Sequence, residues 1–417
     1  MLSIKKILKN PKEIEKKLQT KDETISLSEL LESYSRYTED LTKLERLKES
    51  LNLISKSIGD KKQKKEDASL EITKVSHIKE EMKILQESSD EHKSAFEARI
   101  SVLPNIPDDD ILISLDPADN VCIKTVGEKR SFDFPIKNHL ELGEQNKFFD
   151  LSRGAKISGS GFPVYTGKGA EVEWALMNLM FDIHKKNGFE MRLLPHMVHP
   201  EVMYGSGQLP KFANQLFKIH DKDFNHYLIP TAEVALNGLY MDEIMSKEEL
   251  PKKLVAYTPC FRREAGGHGK NERGLIRVHQ FNKIELFAFA LPSQSDRVFD
   301  QILSSAEEVL QTLGLHYRNM LLCTGDMSFG ASRTVDIEVF LPGQDRYYEV
   351  SSVSNCRDFQ ARRSKIRYKD EQTGKNEFVH TLNGSGLATA RLMVAILENF
   401  QNADGSIDLP YALNKYL

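Results

Sequence analysis

Over the first hundred positions apolar residues recur every three or four places. Leu27, Leu30, Tyr34, Tyr37, Leu41 and Leu44 form one run; after a slip of register, Leu47, Leu51, Ile54 and Ile58 continue it. A second run takes Val75, Ile78, Met82 and Leu85, passes polar Ser89 and His92, and resumes at Phe96 and Leu103. This spacing predicts two long helices packed along an a/d seam. Between them Ile58-Gly59-Asp60 leads into Lys61, Lys62, Gln63, Lys64 and Lys65. Gly59 is expected to end the first helix, giving an antiparallel hairpin with lysines near its tip. Helices of about 32 residues would reach about 48 Å, so the hairpin is expected to project as an arm. A shorter helix around Ile4, Ile7, Leu8, Ile14 and Leu18 is expected at its base.

The texture changes at Leu103-Pro104-Asn105-Ile106-Pro107-Asp108-Asp109-Asp110, where two prolines and an acidic run stop the helix. Before it, Gly59 and Pro11 are the lone glycine and proline of residues 1–100; beyond it glycine, proline and aromatics appear in ordinary number. Two domains are expected, 1–105 and 106–417. In the second, strand-like runs fall at Leu228–Ile229, Leu254–Tyr257, Ile276–Phe289, Val335–Phe340 and Tyr347–Val350. Helical runs fall at Ala170–Asn187, Ser295–Leu313 and Leu387–Phe400. Strands follow one another directly, which predicts class α+β: a mainly antiparallel sheet flanked by helices, attached to the helical arm.

Composition narrows the function. Net charge is −4 over 417 residues, so binding to nucleic acid by bulk positive charge is excluded and a local basic patch is needed. The arm-tip lysines and the loop near Lys270 and Arg273 are the candidates. No apolar run approaches the roughly 20 residues of a membrane helix, and the Lys/Glu-rich start lacks the apolar centre of a signal peptide. Cys122, Cys260, Cys323 and Cys356 are far apart in sequence, as expected of buried, reduced cysteines in a cytoplasmic protein.

Chemistry gathers in the second domain. Phe261-Arg262-Arg263-Glu264 ends one strand-like run, and Arg277, His279, Phe281, Lys283, Glu285 and Phe287 alternate along the next. Arginines for phosphate, a ring for a base and a carboxylate for an amine suit a ligand floor better than a core. Thr231-Ala232-Glu233 follows a strand and Pro230. Glu349-Val350-Ser351-Ser352 groups hard oxygens suited to Mg²⁺. Thr381–Gly386 reads as a polar glycine turn opening a helix that carries Arg391. There is no Walker A sequence or GxGxxG, so a nucleotide would need another cradle.

Phe261–Glu264 with Arg277 resembles motif 2 of the class II aminoacyl-tRNA synthetases, and Gly386–Arg391 resembles motif 3. Ala170–Pro195 resembles motif 1, the dimer-interface helix and strand. The longer strings Gly205–Phe212, Arg273–Glu285, Glu349–Cys356 and Thr381–Gly386, together with the arm, resemble the bacterial type of the seryl-tRNA synthetase family across essentially the whole chain. Ala390 before the motif 3 arginine, and Ser206, depart mildly from the family pattern.

The resemblance implies an ATP-dependent ligase that joins L-serine to its tRNA through a seryl-adenylate, as a cytoplasmic homodimer using Mg²⁺. It implies that Arg262 holds the ATP α-phosphate and the amino-acid carboxylate, and that Arg391 holds the γ-phosphate. Glu264 would meet the adenine edge and Phe281 its face. Arg263, Val278, Val350 and Ser351 complete the implied ATP set, and Glu349 with Ser352 would hold the metal. Glu285 would bind the serine ammonium, and Thr231, Ala232, Glu233 and Ser385 would line its pocket. The arm would lie against the long variable arm of serine tRNA, and selenocysteine tRNA is an implied second substrate. The alternatives are another class II synthetase, an amino acid:carrier protein ligase, and a coiled-coil scaffold with an inactive domain.

Overall fold

The computed structural model describes residues 1–264 and 274–417. Lys270 and Arg273, two of the basic residues singled out from the sequence, lie outside the described residues. The chain divides into two compact units. One comprises Leu2–Gln19 and Glu23–Leu103; the other comprises Pro104–Leu417 together with Met1 and Thr20–Asp22.

The first unit contains helices α1 (Ile4–Lys9), α2 (Pro11–Gln19), α3 (Ser28–Gln63) and α4 (Ser69–Ser101). The last two pack against each other as the predicted hairpin. Three details differ from the sequence reading. Helix α3 runs through Gly59 to Gln63, because one glycine costs only about 1 kcal/mol in a helix held by a long seam. The turn is Lys64–Ala68, with Lys65 in the left-handed region at φ 60°. Lys61 does not belong to a free basic tip: its Nζ is 2.6 Å from Glu71 Oε1 across the hairpin. Nor does the register slip. The inward positions step through Leu30, Ser33, Tyr37, Asp40, Leu44, Leu47, Leu51, Ile54 and Ile58, while Leu41 faces solvent. Asp40 takes the seam position because α4 supplies donors for it. Ser88 Oγ and His92 Nδ1 both lie 2.9 Å from Asp40 Oδ2. This part-buried network explains the polar residue His92 in the seam, and hydrogen bonds to ionised groups are stronger than neutral ones.

The second unit is built on an eight-stranded sheet. Its strands are β1 (Val121–Val126), β2 (Glu190–Arg192), β3 (Lys252–Phe261), β4 (Gln280–Ala290), β5 (Tyr317–Leu321), β6 (Arg333–Leu341), β7 (Arg346–Asn355) and β8 (His380–Ala388). Their order is β1-β5-β6-β7-β8-β4-β3-β2. Every pairing is antiparallel except β2 with β3. Helices α5 (Lys168–Lys186), α6 (Ala232–Gly238), α7 (Ser295–Leu313) and α8 (Thr389–Asn399) pack on it.

Period-two alternation sorts the strand residues between two cores. Ile284, Leu286 and Ala288 join one core with α5, α7 and α8. Phe287 and Phe289 join another with Ala232 and Leu236 of α6. Helix α5 follows the helical period, burying Val172, Ala175, Leu176, Leu179, Met180 and Ile183.

Three further expectations are corrected. Thr381–Gly386 is not a turn opening a helix but part of strand β8, paired on both sides, and the helix starts at Thr389. Gly384 serves close packing there: a Cβ would stand 2.5 Å from Ile302 Cγ2. The strand expected from Ile276 starts at Gln280, so Arg277 and His279 precede the ladder. Cys122 is exposed, whereas Cys260, Cys323 and Cys356 are buried; all four are free thiols.

Candidate active site

The cleft opens on the face of β4 that carries Lys283 and Glu285. It holds a cavity of about 490 Å³ next to a smaller one of about 190 Å³. Arg262, Glu264, Arg277, Lys283, Glu349 and Ser385 line both.

At one end Thr231 caps helix α6. Its Oγ1 accepts from Glu233 N at 3.3 Å and from Lys283 Nζ at 2.8 Å, and lies 3.0 Å from Glu285 Oε2. Lys283 and Glu285 form a buried ion pair. Such a pair is stable only if its remaining polar atoms are bonded, and Thr231 supplies that bond. Ser385 stands directly opposite Glu285 in the β8–β4 ladder. Glu233 Oε1 accepts from Gln360 Nε2 at 2.5 Å and from Asn383 Nδ2 at 3.2 Å. Burial, and then the neighbouring charge of Glu285, push the Glu233 carboxyl up to about 7.

The other end is rich in arginine. The Arg262 guanidinium stands 5.2 Å from the centroid of Phe281, and its Nε donates to Pro230 O at 3.3 Å. Arg277 Nε donates to Glu264 Oε2 at 2.6 Å, with Glu264 in the left-handed region at φ 46°. Arg391, from the first turn of α8, donates through Nη1 to Glu349 O at 2.6 Å and to Glu349 Oε2 at 3.2 Å. Val278, Phe281 and Val350 line the smaller cavity with it.

Glu349 and Ser352 both line the larger cavity. Behind Ser352, on the paired strand, is Asp336, whose buried Oδ1 has no hydrogen-bond partner among the described residues. Burial and then Glu349 hold the Asp336 carboxyl well above the usual carboxylate range. These hard oxygens fit Mg²⁺, which keeps few protein ligands and takes the rest from phosphate and water. Among the described residues no group of three or more His, Cys, Asp or Glu side chains is arranged to hold a metal by itself.

The fold thus brings Arg262, Glu264, Val278, Phe281, Glu349, Val350 and Arg391 around the smaller cavity, and Thr231, Glu233, Glu285, Ser352 and Ser385 around the larger. Three sequence candidates do not line either cavity. Ala232 and Ser351 are fully buried behind the wall, and the Arg263 side chain is exposed while its N–H donates to Gln215 O at 3.0 Å. Gln360 and Asp336 were missed. Neither sits in a motif: the packing of the helix Phe359–Ser364 brings Gln360 to the larger cavity, and the pairing of β6 with β7 puts Asp336 behind Ser352.

Residues 1–107 match the family model of the seryl-tRNA synthetase N-terminal domain, and residues 217–400 match the tRNA synthetase class II core domain (G, H, P, S and T). The chain is 49% identical over its whole length to a serine–tRNA ligase of Chlamydia felis, covering 98% of that protein. It is 48% identical to that of Chlamydia pneumoniae, covering 97% of it. The crystal structure of seryl-tRNA synthetase from Pyrococcus horikoshii complexed with ATP superposes with a TM-score of 0.93 at 34% identity, over 100% of this chain and 98% of that one. The cytoplasmic serine–tRNA ligase of Naegleria fowleri, solved with AMP, gives a TM-score of 0.86 at 25% identity, over 98% and 94% of the two chains. With likeness of this extent at both levels, the chain belongs to the seryl-tRNA synthetase family, the serine–tRNA ligases among the class II aminoacyl-tRNA synthetases.

Proposed function

We propose that the cleft joins L-serine to ATP and then passes the seryl group to tRNA. The observation that carries this reading is the pair of adjoining cavities with Arg262 between them. The larger has a buried Glu285–Lys283–Thr231 group whose charge and hydroxyl suit an amino acid, and the smaller has an aromatic ring and arginines suited to a nucleotide. The relatives solved with ATP and with AMP support the same assignment.

In the first step the serine carboxylate attacks the α-phosphorus, and the bond to the pyrophosphate oxygen breaks. The nucleophile is already ionised, so no general base is needed, and the work is alignment and charge stabilisation. Arg262 bridges the carboxylate and the α-phosphate. Arg391 holds the γ-phosphate, Glu264 meets the adenine edge, and Phe281 stacks on its face beside Val278. Glu285 receives the serine ammonium, and Thr231, Glu233 and Ser385 bound its side chain. Glu349 and Ser352 would hold Mg²⁺, which when bound neutralises and aligns the phosphate oxygens. In the second step a terminal tRNA hydroxyl attacks the seryl carbonyl, and AMP leaves.

The hairpin α3–α4 takes the long variable arm of the tRNA, and the match to the family's N-terminal domain supports that. Trp174 on α5, Met191 on β2 and Leu193 just after it, exposed by 59%, 41% and 77%, support a homodimer closed over this edge of the sheet. A cytoplasmic setting follows the family, and no helix among the described residues is long and apolar enough to cross a membrane. The resemblance extends the proposal to selenocysteine tRNA. The test is charging of total tRNA with labelled serine, alongside pyrophosphate exchange with each of the twenty amino acids. Exchange driven by threonine, proline or histidine instead of serine overturns the reading, as does transfer to a carrier protein.

A further inference from the structure

Strand β8 carries one residue more than its partner. Ser385 pairs with Glu285 and Leu387 pairs with Ile284, so Gly386 stands between them as a β-bulge. A bulge takes main-chain carbonyls out of the ladder, and buried carbonyls need donors. Both carbonyls here have one. Ser351 Oγ donates to Ser385 O at 2.6 Å, and His184 Nε2 meets Gly386 O at 2.6 Å.

His184 comes from helix α5 and is fully buried. Burial pushes its pKa down to about 4, so it is neutral at ordinary pH. A carbonyl can only accept, which puts the single ring proton on Nε2. Nδ1 then accepts from Ser305 Oγ at 2.8 Å, and Asn187 Nδ2 donates to that same oxygen at 3.0 Å. The chain Asn187–Ser305–His184–Gly386 therefore has a fixed direction. The approach is also tight: a Cβ at position 386 would stand 2.5 Å from His184 Nε2, so only glycine admits the ring.

We propose that His184 and Ser351 are positioning residues for amino-acid selection: they clamp the Ser385–Gly386 bulge from both sides and so fix how far the Ser385 hydroxyl reaches toward the amino-acid side chain. Neither lines the cavity, so neither touches substrate. The proposal rests on the reading that Ser385 bounds the serine pocket. It gives buried Ser351 a task other than ATP contact. A pocket that must accept serine and refuse one extra methyl group tolerates little slack, because a single methyl in a pocket is worth only about 10–200-fold in selection.

The test is pyrophosphate exchange by the full chain, with the active fraction titrated, and with KM measured separately for serine and ATP. His184→Asn removes the Nε2 donor, and His184→Gln places an amide N–H near the same point. Ser351→Ala releases the other carbonyl with minimal change of volume. His184→Asn and Ser351→Ala are each expected to raise the serine KM at least tenfold and to narrow discrimination against threonine, with ATP KM within twofold. His184→Gln is expected to recover most of the loss. A general packing defect would instead lower the active fraction and leave both KM values alone; that result, or equal changes for serine and ATP, overturns the proposal. Ser385→Ala separates the two levels. If it leaves the serine KM unchanged, the pocket reading fails and the clamp with it. If it raises the serine KM while His184→Asn and Ser351→Ala do not, only the clamp fails.

Discussion

Arg391 grips Glu349 at two points, its main-chain oxygen at 2.6 Å and its Oε2 at 3.2 Å, across 42 residues of sequence. The contact ties the first turn of α8 to strand β7 and holds the guanidinium at the smaller cavity. Because Glu349 is also a proposed metal ligand, one arginine orients both the phosphate contact and the carboxylate. Replacing Arg391 with alanine is expected to lower serine-dependent kcat/KM for ATP by about 10²–10³-fold, the range for removing one preorganised donor. Arg262→Ala, which loses contacts to both reactants, is expected to abolish exchange. Pyrophosphate exchange at varied ATP measures both, and near-normal activity of either variant would remove that arginine from its assigned role.

Glu233 sets a pH dependence for serine use. Its carboxyl lies near 7 rather than in the ordinary carboxylate range, through burial and Glu285. Below that pH the group is mostly neutral, and above it the added negative charge favours the serine ammonium. Binding of an ammonium therefore releases a proton, and kcat/KM for serine is expected to rise through pH 7. Glu233→Gln, which keeps an acceptor for Gln360 and Asn383, should flatten this limb. A variant profile that rises in parallel with the wild type would rule Glu233 out as its source.

Glu173 on α5 is a second buried carboxyl, raised to about 7 by burial against the hydrogen bonds of Thr389 and Asn282. A raised acid pKa means that the folded state holds its proton where the unfolded state has lost it. Stability from this group is thus full below the unfolded value and falls as pH rises toward 7. Glu173→Gln is expected to remove that fall, so that the variant gains a few degrees of Tm over the wild type between pH 5.5 and 8. Scanning calorimetry at the two pH values decides it; an unchanged Tm difference would mean that the carboxyl does not titrate in this window.

The arm can be tested apart from the chemistry. Pairing of Tyr34 with Phe96, of Asp40 with Ser88 and His92, and of Lys61 with Glu71 gives the register of the hairpin. Deleting Glu49–Met82 and closing the gap with a short glycine linker leaves the lower pairs in place. Pyrophosphate exchange should stay within about twofold, while charging of serine tRNA falls by about 10² or more, as lost phosphate and shape contacts dictate. Equal loss of both activities would argue against a separate tRNA-binding arm.

Much of the molecule was legible in the residues themselves. Heptad spacing announced the hairpin, because a/d burial is a local periodicity. Helix α7 was placed at Ser295–Leu313 to the residue, since amphipathic period and a C-terminal Gly314 agree there. The arginines, Phe281, Glu285 and the Glu349–Ser352 pair stood out because such chemistry is odd on a strand. Less legible was whatever depends on a partner remote in sequence. Asp40 reads as a surface residue until Ser88 and His92 supply its hydrogen bonds, and Leu41 reads as core until Asp40 takes its place in the seam. Thr381–Gly386 reads as a turn because glycine and polar side chains break local propensity. It is a strand because neighbours on both sides satisfy its backbone and leave no room for side chains at Gly384 and Gly386. The sequence alone determined the types of chemistry and the periodic elements. Tertiary structure decided which carboxylates are buried, which arginines are paired, and that Ser385 stands opposite Glu285, since burial and pairing are properties of contacts that no local pattern records.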